Sequence, residues 1–108
     1  MSGARSRSKG ARGEREAAAL FREHGFDAHR GRQFQGSPDS PDLKTELDEL
    51  IHVEVKRVEK LNLYDAIEQA KRDAGAEKVP VVLHRRSHRP WVVVMLAEDW
   101  FDLVKESI

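Results

Sequence analysis

The 108-residue sequence predicts an α/β fold in which a small mixed β-sheet is flanked by helices. Two segments carry apolar residues at helical spacing, one segment alternates apolar and polar residues, and two apolar runs lie close together near the C-terminus. The predicted order is helix, three strands, helix, two strands and helix. A chain of this length is expected to form one core, with a flexible basic arm over residues 1–8 and a single domain over residues 9–108.

The first helix is predicted over residues 10–24, because small and apolar residues recur there on one face: Ala17, Ala18, Leu20 and Phe21. Gly25 supplies a helix stop. Residues 26–34 are predicted to form a strand. A loop follows it, because two prolines and a glycine precede Asp42.

The strand predicted over residues 50–58 has one apolar and one polar face. Ile51, Val53 and Val55 alternate there with His52, Glu54 and Lys56. The second helix is predicted to begin after Asn62 as its N-cap and to end at Gly75. Its apolar stripe consists of Leu63, Ala66, Ile67, Ala70 and Ala74.

The C-terminal part is predicted to form two strands, over residues 79–84 and 91–96, and a final helix. Glu98 and Asp99 fall in the first turn of this helix, where they complement its dipole. Its apolar residues Trp100, Phe101, Leu103 and Val104 are expected to face the core. The run over 91–96 is continuously apolar, which is typical of a strand covered on both faces. A second subunit would supply part of that covering.

Charge is segregated along the chain, although the formal net charge is zero. Residues 1–36 carry eight basic and four acidic groups, and residues 37–56 carry two basic and six acidic groups. Residues 57–108 carry equal numbers of basic and acidic groups. This distribution excludes a uniformly basic nucleic-acid-binding surface. An acidic segment repels phosphate unless a cation bridges the two, and a divalent cation would do so.

Other classes of protein are excluded by what the sequence lacks. It contains no cysteine, which excludes disulfides, thiolate zinc sites and cysteine chemistry. It has no long apolar run and no apolar signal-peptide centre, so a cytoplasmic protein without a membrane partner is expected. The histidines lack helical zinc-ligand spacing and are interpreted as surface or packing residues: His24, His29, His52, His84 and His88.

Glu54 and Lys56 form the most informative pair, because residues i and i+2 of a strand project from the same face about 6 to 7 Å apart. The alternative is a solvent-exposed strand face that carries a charge pair. Asp42 alone is an ordinary turn residue, and Glu14 alone is an ordinary acid in the first turn of a helix. A close pair of strands would bring Asp42 beside Glu54.

Two carboxylates held together are costly to ionise unless a cation neutralises them, and oxygen ligands favour magnesium or manganese. Such an ion lowers the pKa of a bound water and polarises a phosphodiester. Lys56 would orient the water and add positive charge near the phosphate. The pattern therefore predicts metal-assisted phosphodiester hydrolysis.

The residues Pro41-Asp42 and Glu54-Val55-Lys56 resemble the PD-(D/E)xK nuclease superfamily. Together with Lys9-Gly10, Glu14-Arg15-Glu16, Gly25-Phe26 and Gly36-Ser37, they make the sequence similar to archaeal-type Holliday junction resolvases, which are also found in phages. The resemblance covers roughly residues 9–96. It implies a restriction-endonuclease-like fold and a magnesium-dependent endodeoxyribonuclease of a bacterial, archaeal or phage-infected cell. The enzyme would resolve four-way DNA junctions by paired symmetric incisions, with Mn²⁺ able to replace Mg²⁺ and with no organic cofactor.

The resemblance also implies a role for individual residues. Glu14, Asp42 and Glu54 would be metal-site carboxylates, the backbone carbonyl of Val55 a further ligand, and Lys56 the catalytic lysine. Gln69 matches a glutamine often found near the site in this superfamily. A homodimer is implied as well, and its two-fold symmetry would place two active sites on opposite arms of a junction.

DNA contacts are expected from basic residues around the acidic centre: Arg5, Arg7, Lys9, Arg12, Arg30 and Arg32. In the resolvases a serine before the catalytic aspartate contacts DNA, and both Ser37 and Ser40 qualify. Arg85, Arg86, His88 and Arg89 form either a second basic patch or a polar turn.

Two alternatives to the resolvase remain open. One is a nuclease of the same fold that acts on nicked, otherwise branched or duplex DNA. The other is a non-catalytic DNA-binding module on the same scaffold.

Overall fold

A computed structural model describes residues 2–31 and 42–108 of the chain, with side chains from Gly10 onward. Within these residues the helices and strands follow one another in the predicted order. The helices are α1 (Ser2–Glu23), α2 (Leu63–Ala74) and α3 (Ala97–Ser107). The strands are β1 (Ala28–Arg30), β2 (Leu43–Thr45), β3 (Ile51–Arg57), β4 (Val79–Arg85) and β5 (Val92–Val94).

The sheet is mixed, as predicted. β3 pairs with β4 in parallel, and β5 pairs with the other edge of β4 in the antiparallel direction. The helix α2 supplies the crossover that parallel neighbours require. β1 and β2 form a separate antiparallel pair, in which Arg30 lies opposite Leu43. Asp42 directly precedes Leu43. The pairing of β1 with β2 therefore fixes the backbone on either side of the predicted loop.

Helix α1 begins at Ser2, so the predicted start near Gly10 is wrong. No proline interrupts residues 2–9, and each residue added to an existing helix gains a hydrogen bond without a new nucleus. The backbone of residues 2–8, predicted as an arm, continues the helix. The mobility of that segment and the single domain over residues 9–108 stay predictions. Glu14 is therefore in the helix interior, and the alternative of a first-turn acid is wrong.

The other helix boundaries agree closely with the sequence. Asn62 is the N-cap of α2, and its side chain accepts a hydrogen bond from the backbone N–H of Asp65 at 3.4 Å. Gly25 and Gly75 follow the first two helices with φ of 92° and 70°, in the left-handed region that glycine adopts without strain. Both glycines end their helices as predicted.

The core lies on both sides of the three-stranded sheet. On one side α1 packs against β3, with Ala17, Ala18, Leu43, Val53 and Leu83 among the buried residues. On the other side α2 packs against β4, with Ala66, Ile67, Ala70 and Val82 buried. The polar face of β3 is on the α2 side, and α2 covers it. The alternative of a solvent-exposed strand face is therefore wrong, because His52 and Glu54 are each only 3% exposed.

Helix α1 lies very close to the end of β3 at Gly13. A Cβ atom at this position would lie 2.5 Å from Cβ of Arg57, which no real contact allows. Arg57 and Arg85, at the ends of neighbouring strands, both donate hydrogen bonds to Oε1 of Glu16 on the same helix, at 3.1 and 3.2 Å. Glycine and this ion-pair cluster together fix α1 against the sheet.

The expected burial of α3 is wrong. No residue of this helix is buried, and Trp100 and Phe101 are 49% and 54% exposed, packed edge to face on each other at 5.0 Å. The strand before it, β5, has three residues, and two of them, Val92 and Val93, are exposed, so it is not covered on both faces. The sheet ends at β5, and α2 packs on one face of it, so little of the described part of the chain is left to cover α3.

None of the helices in residues 2–31 and 42–108 is both long and apolar enough to cross a membrane.

Candidate active site

The structure brings Asp42 and Glu54 together beside Lys56. Asp42 directly precedes β2, and its Oδ2 accepts a hydrogen bond from the backbone N–H of Val55 at 2.8 Å. This bond ties the aspartate to the middle of β3. The negative charge of Glu54 and the positive charge of Lys56 both act on Asp42, which places the three side chains close together. The predicted approach of Asp42 to Glu54 and Lys56 is confirmed.

Burial raises the pKa of Asp42 to about 6, and the negative charge of Glu54 adds to the increase. The hydrogen bond from Val55 and the charge of Lys56 oppose it. Asp42 therefore holds its proton more tightly than an exposed aspartate would, and a cation beside it can take that proton's place.

Lys56 extends from the same face of β3 as Glu54 and meets α2. Its Nζ donates a hydrogen bond to Oε1 of Gln69 at 3.0 Å, and both side chains are half-buried. Gln69 therefore holds the ammonium group next to the acidic pair. The predicted placement of Gln69 near the site is confirmed, and the roles of both residues stay predictions.

Glu14 reaches the same region from α1. Its Oε1 accepts a hydrogen bond from Nε of Arg30 at 2.9 Å, and only 13% of the glutamate side chain is exposed. Burial raises the pKa of Glu14, the bond from Arg30 opposes this, and the charges of Asp42 and Glu54 add to it. The three predicted carboxylates thus influence one another, with Arg30 as a counter-charge.

His52 belongs to the site, although the sequence interpretation placed it among surface or packing residues. Its Nε2 lies 2.9 Å from Oε1 of Glu54. Asp73 of α2 joins them, since one potential ligand atom from each of these three residues lies within 4.8 Å of the other two. The signal in the sequence was the alternation of β3, which puts His52 on the face of Glu54. Nothing in the sequence indicated that Asp73 would lie opposite His52 and Glu54.

Among the described residues, Glu14, Asp42 and Glu54 do not form so tight a group as His52, Glu54 and Asp73. Glu54 is common to both sets. It interacts with both Asp42 and His52. This glutamate is therefore the central acidic group of the site.

The predicted DNA-contacting residues are only partly described. Arg12 is exposed on α1, and Arg30 is half exposed beside Glu14. The side chains of the others lie outside the described residues: Arg5, Arg7, Lys9, Arg32, Ser37 and Ser40.

The segment after β4 is a turn that adjoins a basic groove. A hydrogen bond of 3.1 Å from Arg89 to the carbonyl of Arg86 closes the turn, and Glu59 accepts two further bonds from Ser87. A groove of about 620 Å³ beside it is lined by Lys60, Arg85, Arg86 and Arg89, among other residues. The predicted turn is thus confirmed. A second basic patch, at this groove, stays a prediction.

Comparison with known proteins gives one family. The model of the family described as archaeal Holliday junction resolvase (hjc) matches residues 5–98. This range contains every residue that the site brings together. No curated protein matches the chain.

Proposed function

The chain belongs to the archaeal Holliday junction resolvase family, a family of nucleases that act on branched DNA, and from this membership and the geometry of the site we propose that it hydrolyses four-way DNA junctions by paired incisions that depend on Mg²⁺. The observation that carries this proposal is the hydrogen bond that ties Asp42 to β3, which holds its carboxylate beside Glu54 and the ammonium group of Lys56.

The donor set fits a hard divalent cation. Asp42 is buried beside Glu54, so that its ionisation is unfavourable without a counter-charge, and Glu14 adds a third carboxylate nearby. We assign these three residues and the backbone carbonyl of Val55 to the ion, with Mg²⁺ favoured and Mn²⁺ able to replace it. When bound, the ion supplies an acidified water and polarises the scissile phosphodiester.

Lys56 and Gln69 perform the other part of the chemistry. The ammonium group of Lys56, oriented by Gln69, stabilises the negative charge that develops on the phosphate and orients the attacking water. A side chain of α2 thus holds the lysine in place before DNA binds. We therefore assign Lys56 as the catalytic lysine and Gln69 as its positioning residue.

Contacts with DNA fall to basic side chains around this acidic centre. Arg12 and Arg30 lie on the side of α1 and β1, and the groove at Arg85, Arg86 and Arg89 lies beyond the end of β4. Since these side chains contact phosphates, affinity for a junction should fall steeply with salt concentration. The proposed contacts of Arg5, Arg7, Lys9, Arg32, Ser37 and Ser40 rest on the sequence alone. The cytoplasmic location expected from the sequence also stays a prediction.

A homodimer would allow both incisions. The exposed apolar residues of β5 and α3 support it: Val92, Val93, Trp100, Phe101 and Leu103. Covering such a surface with a second copy removes apolar area from water, and a two-fold axis matches the symmetry of a four-way junction.

The test is cleavage of a labelled four-way junction over a Mg²⁺ series, with Lys56→Ala as control. Paired cuts that require Mg²⁺ and disappear in the variant are expected. Junction binding without cleavage at any metal concentration would instead show a DNA-binding module. Equal cutting of linear duplex or nicked DNA would assign the nuclease to another substrate.

A further inference from the structure

His52 makes a buried contact with Glu54 that the proposed mechanism does not use. The two side chains leave β3 on the same face, and Nε2 of His52 lies 2.9 Å from Oε1 of Glu54. Each residue is 3% exposed, so solvent does not compete for this hydrogen bond.

Helix α2 encloses the contact. The small buried residues of α2, which are Ala66, Ala70 and Ala74, let the helix lie close to the sheet. Gln69 and Asp73, one turn apart, then face the polar side of β3: Gln69 bonds to Lys56, and a carboxylate oxygen of Asp73 lies within 4.8 Å of the ligand atoms of His52 and Glu54. The imidazole is thus held between strand and helix.

Stability does not account for a buried polar pair of this kind. Apolar side chains of similar volume in its place are often neutral or stabilising, because burying polar groups costs solvation free energy. The need to orient a metal-binding carboxylate does account for this buried pair. A side chain that donates to one oxygen of a ligand carboxylate fixes the orientation of the whole group.

We propose that His52 is a positioning residue that fixes the carboxylate of Glu54 for metal binding. The imidazole holds Oε1, and the second oxygen is directed to a cation shared with Asp42. His52 acts through Glu54 and is itself too deeply buried to contact DNA. The inference rests on the proposed function, because it takes Glu54 as a metal ligand.

The test compares His52→Gln with His52→Asn. The glutamine amide can place an N–H donor where Nε2 lies, whereas the asparagine amide is one bond too short to reach Glu54. Both replace an imidazole by an amide, so any general cost of losing the ring is common to them. Mn²⁺ binding is measured by the loss of the free-ion EPR signal, without DNA, and junction cleavage is measured over the same Mn²⁺ series.

His52→Gln should bind Mn²⁺ with nearly wild-type affinity, and His52→Asn should bind it at least about tenfold more weakly, as expected for loss of a group that orients a ligand. Cleavage by His52→Asn should recover at high Mn²⁺ concentration. His84→Gln is the matched control, because His84 is a half-buried histidine on the neighbouring strand whose Nε2 bonds to the carbonyl of Val58 instead of a carboxylate. It should bind Mn²⁺ as the wild type does.

Wild-type affinity in His52→Asn, or equal losses in both His52 variants, would overturn the positioning role while leaving a metal-dependent wild-type nuclease intact. Pulsed EPR adds a second criterion: a ¹⁴N coupling from directly bound imidazole that disappears in His52→Gln would make His52 a metal ligand and also overturn the role. A wild-type protein that neither binds Mn²⁺ nor cuts junctions would remove the proposed function and this inference together.

Discussion

Asp42 has contacts with opposite effects on its charge. The N–H of Val55 stabilises the carboxylate, and the carboxyl group of Glu54 destabilises it. Burial decides the balance in favour of the protonated form, which raises the pKa of Asp42 to about 6. If Asp42 and Glu54 hold the cation as proposed, a proton on Asp42 competes with that cation.

This competition predicts how stability depends on pH without metal. The pKa of Asp42 is 3.8 in its ordinary state and about 6 in the folded protein, so the folded state binds the proton more tightly. The free energy of unfolding should consequently fall as pH rises from about 4 to 6, by up to about 3 kcal/mol, and then level off. Urea denaturation in EDTA at a series of pH values measures this decrease in the free energy of unfolding.

Asp42→Asn is the control for this pH dependence, because it has no proton to lose and its amide oxygen can still accept from Val55. The variant should show a much smaller fall over the same range. Mg²⁺ should stabilise the wild type above pH 6, where Asp42 ionises, and should do little for the variant. An identical pH profile in wild type and variant would argue against the coupled acidic pair.

Gln69 offers a test of how the lysine is oriented. Gln69→Leu removes the oxygen that accepts from Lys56, so the ammonium group should lose its fixed position. Cleavage at saturating Mg²⁺ is expected to fall by about 10- to 100-fold, a magnitude typical of a misplaced catalytic group, while junction affinity stays the same. Single-turnover cleavage and a binding titration separate the two effects.

The matched control is Glu68→Leu, at the exposed neighbouring position of α2. It should leave single-turnover cleavage unchanged. Equal rates in Gln69→Leu and the wild type would mean that the lysine needs no support from α2.

Sequence reasoning at the residue scale was correct wherever a local pattern determined position. Strand alternation put Glu54 and Lys56 on one face, and the predicted approach of Asp42 is made by the hydrogen bond that it accepts from Val55 of β3. The same alternation placed His52 on that face without showing that α2 would bury it. Burial depends on what packs over the face, and that is a tertiary property.

At the scale of elements, the contact of α1 with β3 depends on Gly13. Gly13→Ala would put a methyl group 2.5 Å from Cβ of Arg57, and neither atom belongs to a flexible side-chain end. The free energy of unfolding should decrease by about 1–3 kcal/mol, as for overpacked positions, and Glu14 should move with the helix. Chemical denaturation and junction cleavage measure these two effects.

Gly10→Ala is the matched substitution on the same helix, since a Cβ there meets nothing within 4 Å. It should be neutral or stabilise by up to about 1 kcal/mol, because alanine favours the helix more than glycine. If both variants change stability in the same direction, the close approach at Gly13 is not what fixes α1.

The elements were predicted well where caps and periodicity agree, as in α2 between Asn62 and Gly75. The start of α1 was placed too late, since serine and basic residues were interpreted as an arm and nothing in them opposes a helix. The orientation of α3 was wrong for another reason. Apolar spacing shows which face of a helix avoids water, and it does not show whether that face is covered by the same chain.

At the scale of the whole molecule, the uncovered apolar residues of α3 predict self-association. Light scattering after size exclusion should give the wild type about twice the 12.3 kDa mass of one chain. Phe101→Asp should shift it to the mass of one chain, because a carboxylate would be buried in the interface. Leu50→Asp, at an exposed apolar residue outside α3 and β5, should remain dimeric. A wild type that elutes as a single chain would contradict the dimer.

The whole molecule acts as a nuclease, on our proposal, because folding gathers Asp42 and Glu54 to hold a metal ion for phosphodiester hydrolysis. The most direct test of this proposal measures junction cleavage and junction binding in parallel for Asp42→Asn and Glu54→Gln in Mg²⁺. Cleavage by both variants should fall to that of the wild type in EDTA, while affinity stays equal or increases because a charge that repels phosphate is gone. Cleavage that persists in both variants, or affinity that is lost together with cleavage, would contradict the account.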